Sequence, residues 1–299
     1  MSNRPSAQAA DLIERLNAIT RVTARPRWQR MLWRPERIVR SHLQTATSRM
    51  LGRPLQVRAR TFWGERMSVA VPEIVAKQIL RYGFYEEGLT RMLLALLRSG
   101  MTFADVGAHV GYYSLLAAHV VGRAGRVLAF EPVPATFELL TRNTGHCWNV
   151  RRVQAAVFSE TGTLEFSDHG LEFSAFASFT RPRLRYDVPP PTPIEVRSVR
   201  LDEFVRDLDG GPLFVKIDVE SAEAHVLQGM HRVIDELRPV ISLEVGDFDL
   251  PGVPPSRELI DALAARRYRV FEYGTPSEPL RLHAPRERYG YDNLVFVPE

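Results

Sequence analysis

Residues 103–131 constrain the fold more than any other stretch. Phe103-Ala-Asp-Val106 reads as an apolar strand with an acid, Asp105, near its end. Gly107 and Gly111 bracket a turn, and the apolar segment 112–121 reads as a helix. A second apolar strand, Arg126-Val-Leu-Ala-Phe130, follows and ends in a second acid, Glu131. Strand, glycine turn, helix, strand and acid in this order describe half of a nucleotide-binding α/β fold. The two glycines are expected to let the backbone pass close to a bound ligand where a Cβ would clash.

The alternation continues to residue 299. It predicts strands at 102–106, 126–131, 151–157, 213–218, 239–245, 268–273 and 292–297, with helices at 111–122, 134–145, 221–236 and 256–267. Such a pattern specifies a parallel sheet covered on both faces. The last two strands have no helical pattern between them, which points to a reversed final strand. Upstream, the spacing predicts a helix over 8–24, another after Pro35, a hairpin turning at Gly64-Glu65, and a helix near 89–97 with Gly100 as its C-cap. Residues 168–198 break the rhythm with Phe173, Phe176 and Phe179, then Pro182 and the run Pro189-Pro-Pro-Thr-Pro193. A loop of that length reads as a lid or binding loop. The expected organisation is a basic, largely helical extension over 1–56 and a domain over 57–299. Within that domain, 57–100 holds the hairpin and helix and 101–299 the core.

Composition narrows the partners. Cys147, between His146 and Trp148, stands alone, so no intramolecular disulfide forms and a reducing cytoplasm is expected. It reads as a packed thiol. No signal peptide and no apolar run long enough to span a bilayer is visible. Residues 1–50 carry ten Arg and three acids, while the rest of the chain is mildly acidic. Such an arm reads first as a solvated helical extension, with peripheral contact with anionic lipid headgroups or acidic glycans as the functional alternative. It lacks the interleaved aromatics of single-strand binders, so nucleic acid is not expected.

Ten positions carry the chemistry. Asp105, Gly107, His109 and Gly111 give the order D-x-G-x-H-x-G. An acid at the mouth of that turn suits a ligand with a positive centre better than a pyrophosphate. Glu131 can accept both hydroxyls of a ribose. Lys216, Asp218 and Glu220 alternate onto one side of their strand, at the switch point where such sheets bind ligands. Glu244 ends the next strand and could join Asp218 in holding Mg²⁺. A strand-end acid more often bonds a neighbouring loop, and no metal is assigned. His109 and His225 are general-base candidates by pKa alone. No H-E-x-x-H, G-x-S-x-G or P-loop spacing occurs.

Taken together, these residues resemble the FkbM family of S-adenosylmethionine-dependent methyltransferases. The pieces are Tyr82-Gly-Phe-Tyr-Glu86, Asp105-Val-Gly-Ala-His-Val-Gly-Tyr-Tyr-Ser114, Ala129-Phe-Glu-Pro-Val-Pro134, Val199-Arg-Leu-Asp-Glu-Phe204, Lys216-Ile-Asp-Val-Glu-Ser-Ala-Glu223, Val226-Leu-Gln-Gly-Met230, Arg238-Pro-Val-Ile-Ser-Leu-Glu244 and Asn293-Leu-Val-Phe-Val-Pro298. The resemblance implies a class I methyltransferase (Rossmann-like) doubly wound sheet, strand order 3-2-1-4-5-7-6 with the seventh antiparallel. It implies that Asp105, Gly107 and Gly111 surround the methionine part of the cofactor, with Ala108 and His109 in the same turn. Glu131 would hold the ribose, Ala156 would lie near the adenine, and Asp218 near the sulfonium and the substrate. The family usually has Asn at position 109 and Gly at 221; Ser221 is expected to N-cap the following helix. The implied activity is O-methylation of a hydroxyl on a sugar, glycolipid or related natural product. Asp218 is the first candidate base, followed by His109 and His225. The stretch 173–179 and the N-terminal elements would roof the site. Two other readings stay open: a nicotinamide-dependent oxidoreductase, and a non-catalytic scaffold that binds cofactor or glycan.

Overall fold

A computed structural model describes residues 7–178, 190–208, 211–274 and 280–299. Helices α1 (Ala7–Thr23), α2 (Arg27–Trp33) and α3 (Pro35–Leu51) lead into a hairpin of β1 (Leu55–Arg60) and β2 (Arg66–Val71), then α4 (Ile74–Tyr82) and α5 (Glu87–Leu96). The core follows as β3 (Thr102–Val106), α6 (Tyr112–Val121), β4 (Arg126–Phe130), α7 (Pro134–Thr144) and β5 (Val150–Val153). Three strands, β6 (Ala156–Val157), β7 (Gly162–Asp168) and β8 (Thr192–Val199), then leave the main sheet. The chain returns through α8 (Val205–Leu208), β9 (Leu213–Ile217), α9 (Glu223–Gly229), β10 (Val240–Val245) and α10 (Ser256–Ala265), and finishes with β11 (Tyr268–Tyr273), β12 (Leu280–Leu282) and β13 (Asp292–Pro298).

The main sheet runs β12-β11-β13-β10-β9-β3-β4-β5. Strands β3, β4, β5, β9 and β10 pair in parallel, and β13 is antiparallel to both β10 and β11. Counted from β3, this is the order 3-2-1-4-5-7-6 with a reversed seventh strand and one extra edge strand. Burial explains why the pattern was readable. Every residue of β3, β9 and β10 is buried, so these strands read as apolar runs broken only by Thr102, Asp105, Lys216, Ser242 and Glu244.

Several elements differ from the sequence-based expectation. Segment 151–157 is two strands in two sheets, β5 and β6. The expected loop 168–198 contains β8, which pairs antiparallel with β7 along its full length. Val196 of β8 and Phe166 of β7 pack with Val133 and Ala156. Phe179 and Pro182–Pro189 lie outside the described residues. The expected helix 221–236 is α9 followed by a separate wide turn at Val233–Leu237. The break has a cause: a Cβ on Gly229 would sit 1.9 Å from the Phe158 carbonyl oxygen, so α9 ends pressed against that strand exit. Helix α5 is capped at Leu97 rather than at Gly100.

The N-terminal helices are not a free arm. Leu12 and Leu16 of α1 are buried in the same cluster as β2, α5 and α6, each burial contributing about 1.5–3 kcal/mol. Buried Arg91 of α5 reaches across to α1, donating to Asn17 Oδ1 and to Thr20 Oγ1 at 2.9 Å.

Candidate active site

The parallel strands end together, and their C-terminal residues face one cavity of about 950 Å³. It opens where β3 meets β9, which is the switch point of the sheet. Register sets the heights. Asp105 pairs with Lys216, and Leu243 with Ile217, so Glu244 stands level with Asp218 one strand away.

Two predicted cofactor residues lie behind the cavity wall rather than on it. Asp105 is fully buried; its Oδ2 accepts from Ser114 Oγ at 2.6 Å, and its Oδ1 lies 3.5 Å from Lys216 Nζ. Gly111 starts α6 with φ 86°, and a Cβ there would lie 2.7 Å from Leu140 Cδ1. Gly107 does line the cavity, yet its missing Cβ makes room for protein: a methyl would sit 1.9 Å from the Asp218 carbonyl oxygen. The glycines therefore bring two strand ends and two helices together, a packing requirement beside the expected ligand approach.

Lys216 is the hub of this packing. Its Nζ is 3.1 Å from Asp218 Oδ2, donates to Gly107 O at 3.2 Å, and lies 5.3 Å from the Tyr113 ring centre. Burial alone would lower its pKa; Asp218 and Asp105 outweigh that and raise it, so the ammonium stays charged.

Glu131 lines the cavity, held by two backbone donors. Val133 N–H reaches Oε1 at 3.0 Å and His109 N–H reaches Oε2 at 2.9 Å. Three more N–H groups of the turn are engaged: Gly107 and Ala108 donate to Phe130 O, and Gly111 to Ala108 O. None of those four amides is left for a phosphate. Ala108 and Ala156 also line the wall.

Asp218, Glu220 and Glu244 offer carboxylate oxygens within 4.8 Å of one another. Glu244 is 7% exposed and has no hydrogen bond or ion pair among the described residues. Glu220 accepts from Tyr291 Oη at 2.8 Å. Burial, and then the Asp218 charge, pushes the Glu220 and Glu244 carboxyls up. Glu86, at φ 35°, adds another carboxylate that accepts from Tyr113 Oη at 2.8 Å. These oxygens have the chemistry to hold a cation or to share and accept protons. Glu220 and Ser221 are both left-handed, at φ 49° and 75°. Ser221 makes no N-cap, because α9 starts at Glu223 after Ala222. The position has the backbone that glycine favours.

The histidines separate. His109 lines the cavity with Nε2 2.7 Å from Ser174 Oγ, and burial pulls its pKa down to about 4. A group so far below neutral pH is a poor proton acceptor. His225 is not on the cavity wall. Its ring stacks on Phe158 at 4.1 Å, and Nδ1 is 3.3 Å from Ser159 Oγ.

The roof is partly as expected. Ile74 and Val75 of α4, Tyr85, and Ser174, Ala175 and Ala177 contribute to it. Sequence reasoning missed segments 247–250 and 288–291, which close the far side. Tyr291 gave no periodic signal because it lies in irregular chain between β12 and β13.

Buried acids predict a pH response. Burial raises Glu131 and Glu223 to about 7. A carboxyl raised on folding contributes stability below its unfolded pKa, and that contribution is lost as pH rises through the folded value. The ligand-free protein should therefore lose Tm as pH rises from about 4.5 to about 7, the unfolded and folded values of these carboxyls. A cationic ligand should restore more Tm at the upper end of that range. Calorimetry across that range checks this; a Tm flat or rising with pH would contradict it.

Acids dominate the cavity lining, which suits a ligand carrying positive charge. Known proteins resemble this chain in part. Hexuronic acid methyltransferase AglP of Haloferax volcanii is 25% identical over 158 residues, covering 52% of this chain and 61% of that protein. Methyltransferase sdnD of Sordaria araneosa is 26% identical over 194 residues, 56% of this chain and 74% of that one. The crystal structure of methyltransferase FkbM from Methylobacillus flagellatus aligns with TM-score 0.40 and 19% identity, covering 67% of this chain and 45% of its own. The model of the methyltransferase FkbM domain matches residues 105–270, more than half of the sequence, so the chain belongs to the FkbM family of methyltransferases and S-adenosylmethionine is its cofactor.

Proposed function

We propose that the protein methylates a hydroxyl oxygen of a sugar, glycolipid or related natural product, with Asp218 accepting the hydroxyl proton. The observation that carries this reading is the acid group at the ends of β9 and β10: Asp218 held by Lys216, with Glu220 and Glu244 within 4.8 Å. The bound cofactor supplies an electrophilic methyl carbon on a sulfonium. Alcohols are weak nucleophiles, so a positioned base is needed as the O–H proton leaves. Lys216 occupies Asp218 Oδ2, which leaves Oδ1 for that proton. Asp218 is favoured over either histidine, because His109 Nε2 is already engaged with Ser174 Oγ and His225 lies behind Phe158, off the cavity wall. A relative named as a hexuronic acid methyltransferase supports a sugar acceptor.

Glu131 is assigned the ribose, Ala156 the adenine wall, and Ala108 and His109 the methionine end. Glu131→Ala should weaken cofactor binding by about 1–3 kcal/mol, the range for a hydrogen bond to a charged group. Titration calorimetry reads this directly, and an unchanged Kd would remove the ribose role. The engaged amides of the glycine turn speak against a nicotinamide dinucleotide. Incubation with methyl-labelled cofactor and a panel of hydroxyl-bearing glycans tests the whole reading. Label should appear as an O-methyl ether. Cofactor binding without transfer to any acceptor would favour the scaffold, and dinucleotide binding the oxidoreductase.

A further inference from the structure

The densest unexplained feature is the surface of α2, α3 and β1. Residues 25–60 contain ten Arg and a single acid, Glu36. Among the described residues, none of these arginines forms a salt bridge. Among the described residues, the same region holds seven of the twelve large apolar side chains that are exposed: Trp28, Met31, Leu32, Val39, Leu43, Met50 and Leu51.

Helix α3 has two opposite faces. Ile38, Ser41, Thr45 and Ser48 are buried against the body. Val39, Leu43, Ala46 and Met50, spaced i, i+4, i+7 and i+11, form a second stripe on the far side, and all four are exposed. A helix that only covered the core would carry polar residues there.

The face adjoins the cavity. Half-exposed Ile74 of α4 lines the large cavity and also a neighbouring groove bordered by Arg30, Lys77 and Arg81. Arg30 Nε in that groove is buried without a hydrogen-bond partner.

We propose that this face docks on an anionic lipid bilayer, with the apolar stripe inserted among the headgroups and the arginines on lipid phosphates. Apolar side chains flanked by arginines, with a tryptophan at the boundary, are what an interfacial helix presents. Charge selects the occupant. A second copy would bring an equally basic face against this one, and nucleic acid offers no apolar layer. Docking holds the cavity mouth at headgroup level, so the acceptor is lipid-linked; this last step rests on the methyl-transfer reading.

Vesicle co-sedimentation of the full chain tests the docking. The protein should pellet with phosphatidylglycerol-rich vesicles and stay in solution with phosphatidylcholine alone. Arg34→Ala with Arg40→Ala should lower binding by about 5-fold per charge, a loss that added salt mimics. Leu32→Ser, Leu43→Ser and Met50→Ser together should lower it by about 10-fold or more at unchanged net charge. Methyl transfer to a water-soluble acceptor should be unaffected in that triple variant, which separates failure of docking from failure of the catalytic reading. Equal binding to neutral and anionic vesicles, wild-type binding by the serine variant, or a concentration-dependent dimer that buries this face would each overturn the proposal.

Discussion

Asp218→Asn should lower kcat by about 10²–10⁴-fold, the usual contribution of a positioned base. The amide keeps the size of the side chain and can still accept from Lys216 through its oxygen. It cannot take a proton at neutral pH. Cofactor affinity should fall by less than about ten-fold, because Glu86, Glu220 and Glu244 still face the same space. Rates and cofactor Kd measured together make the separation. Loss of both in equal measure would assign Asp218 to binding alone. Retained turnover would move the base to another carboxylate, Glu220 or Glu244 first.

Lys216→Met should destabilise the fold by about 3–5 kcal/mol, as expected when one partner of a buried ion pair is removed. Lys216 is 1% exposed and Asp105 is fully buried, so water cannot replace the lost charge. The loss should depend on pH with a definite sign. Burial already raises the Asp105 pKa, and losing Lys216 would raise it further. A raised carboxyl contributes stability at low pH that is lost as pH rises through its folded value. The variant should therefore lie nearer wild type in acid and fall further behind in alkali. Urea unfolding across pH would show this. Equal stability at all pH values would mean the cation is dispensable to the packing of β3 against β9.

The parallel core was legible because its strands are buried on both faces. Phe103, Val127, Phe214 and Ile241 need no alternation to be recognised. The strand-end acids were legible for a related reason: Asp105, Glu131, Asp218 and Glu244 each interrupt or end an apolar run. What they do was less legible. Asp105 and Gly111 sit behind the wall, a fact set by the crossing of β3 and α6 against β9 and α7 that no local pattern encodes. Helix α4 was missed although Glu73, after Pro72, caps it by accepting from Val75 N–H and Ala76 N–H. Its nine residues are too short for a convincing period. Strand β8 was hidden by the prolines before it. Glu86 stood inside a family motif, but its approach to the cavity depends on a left-handed backbone at a non-glycine residue, which sequence does not announce.

The central claim is that the cofactor lies at the mouth between β3 and β9, with Glu131 on its ribose and Asp218 beside its sulfur. A crystal structure of the full chain with S-adenosylhomocysteine tests it most directly. The account predicts both ribose hydroxyls on the Glu131 carboxylate and the sulfur facing Asp218. A ribose bound elsewhere, or a sulfur turned from the Asp218, Glu220 and Glu244 carboxylates, would contradict it.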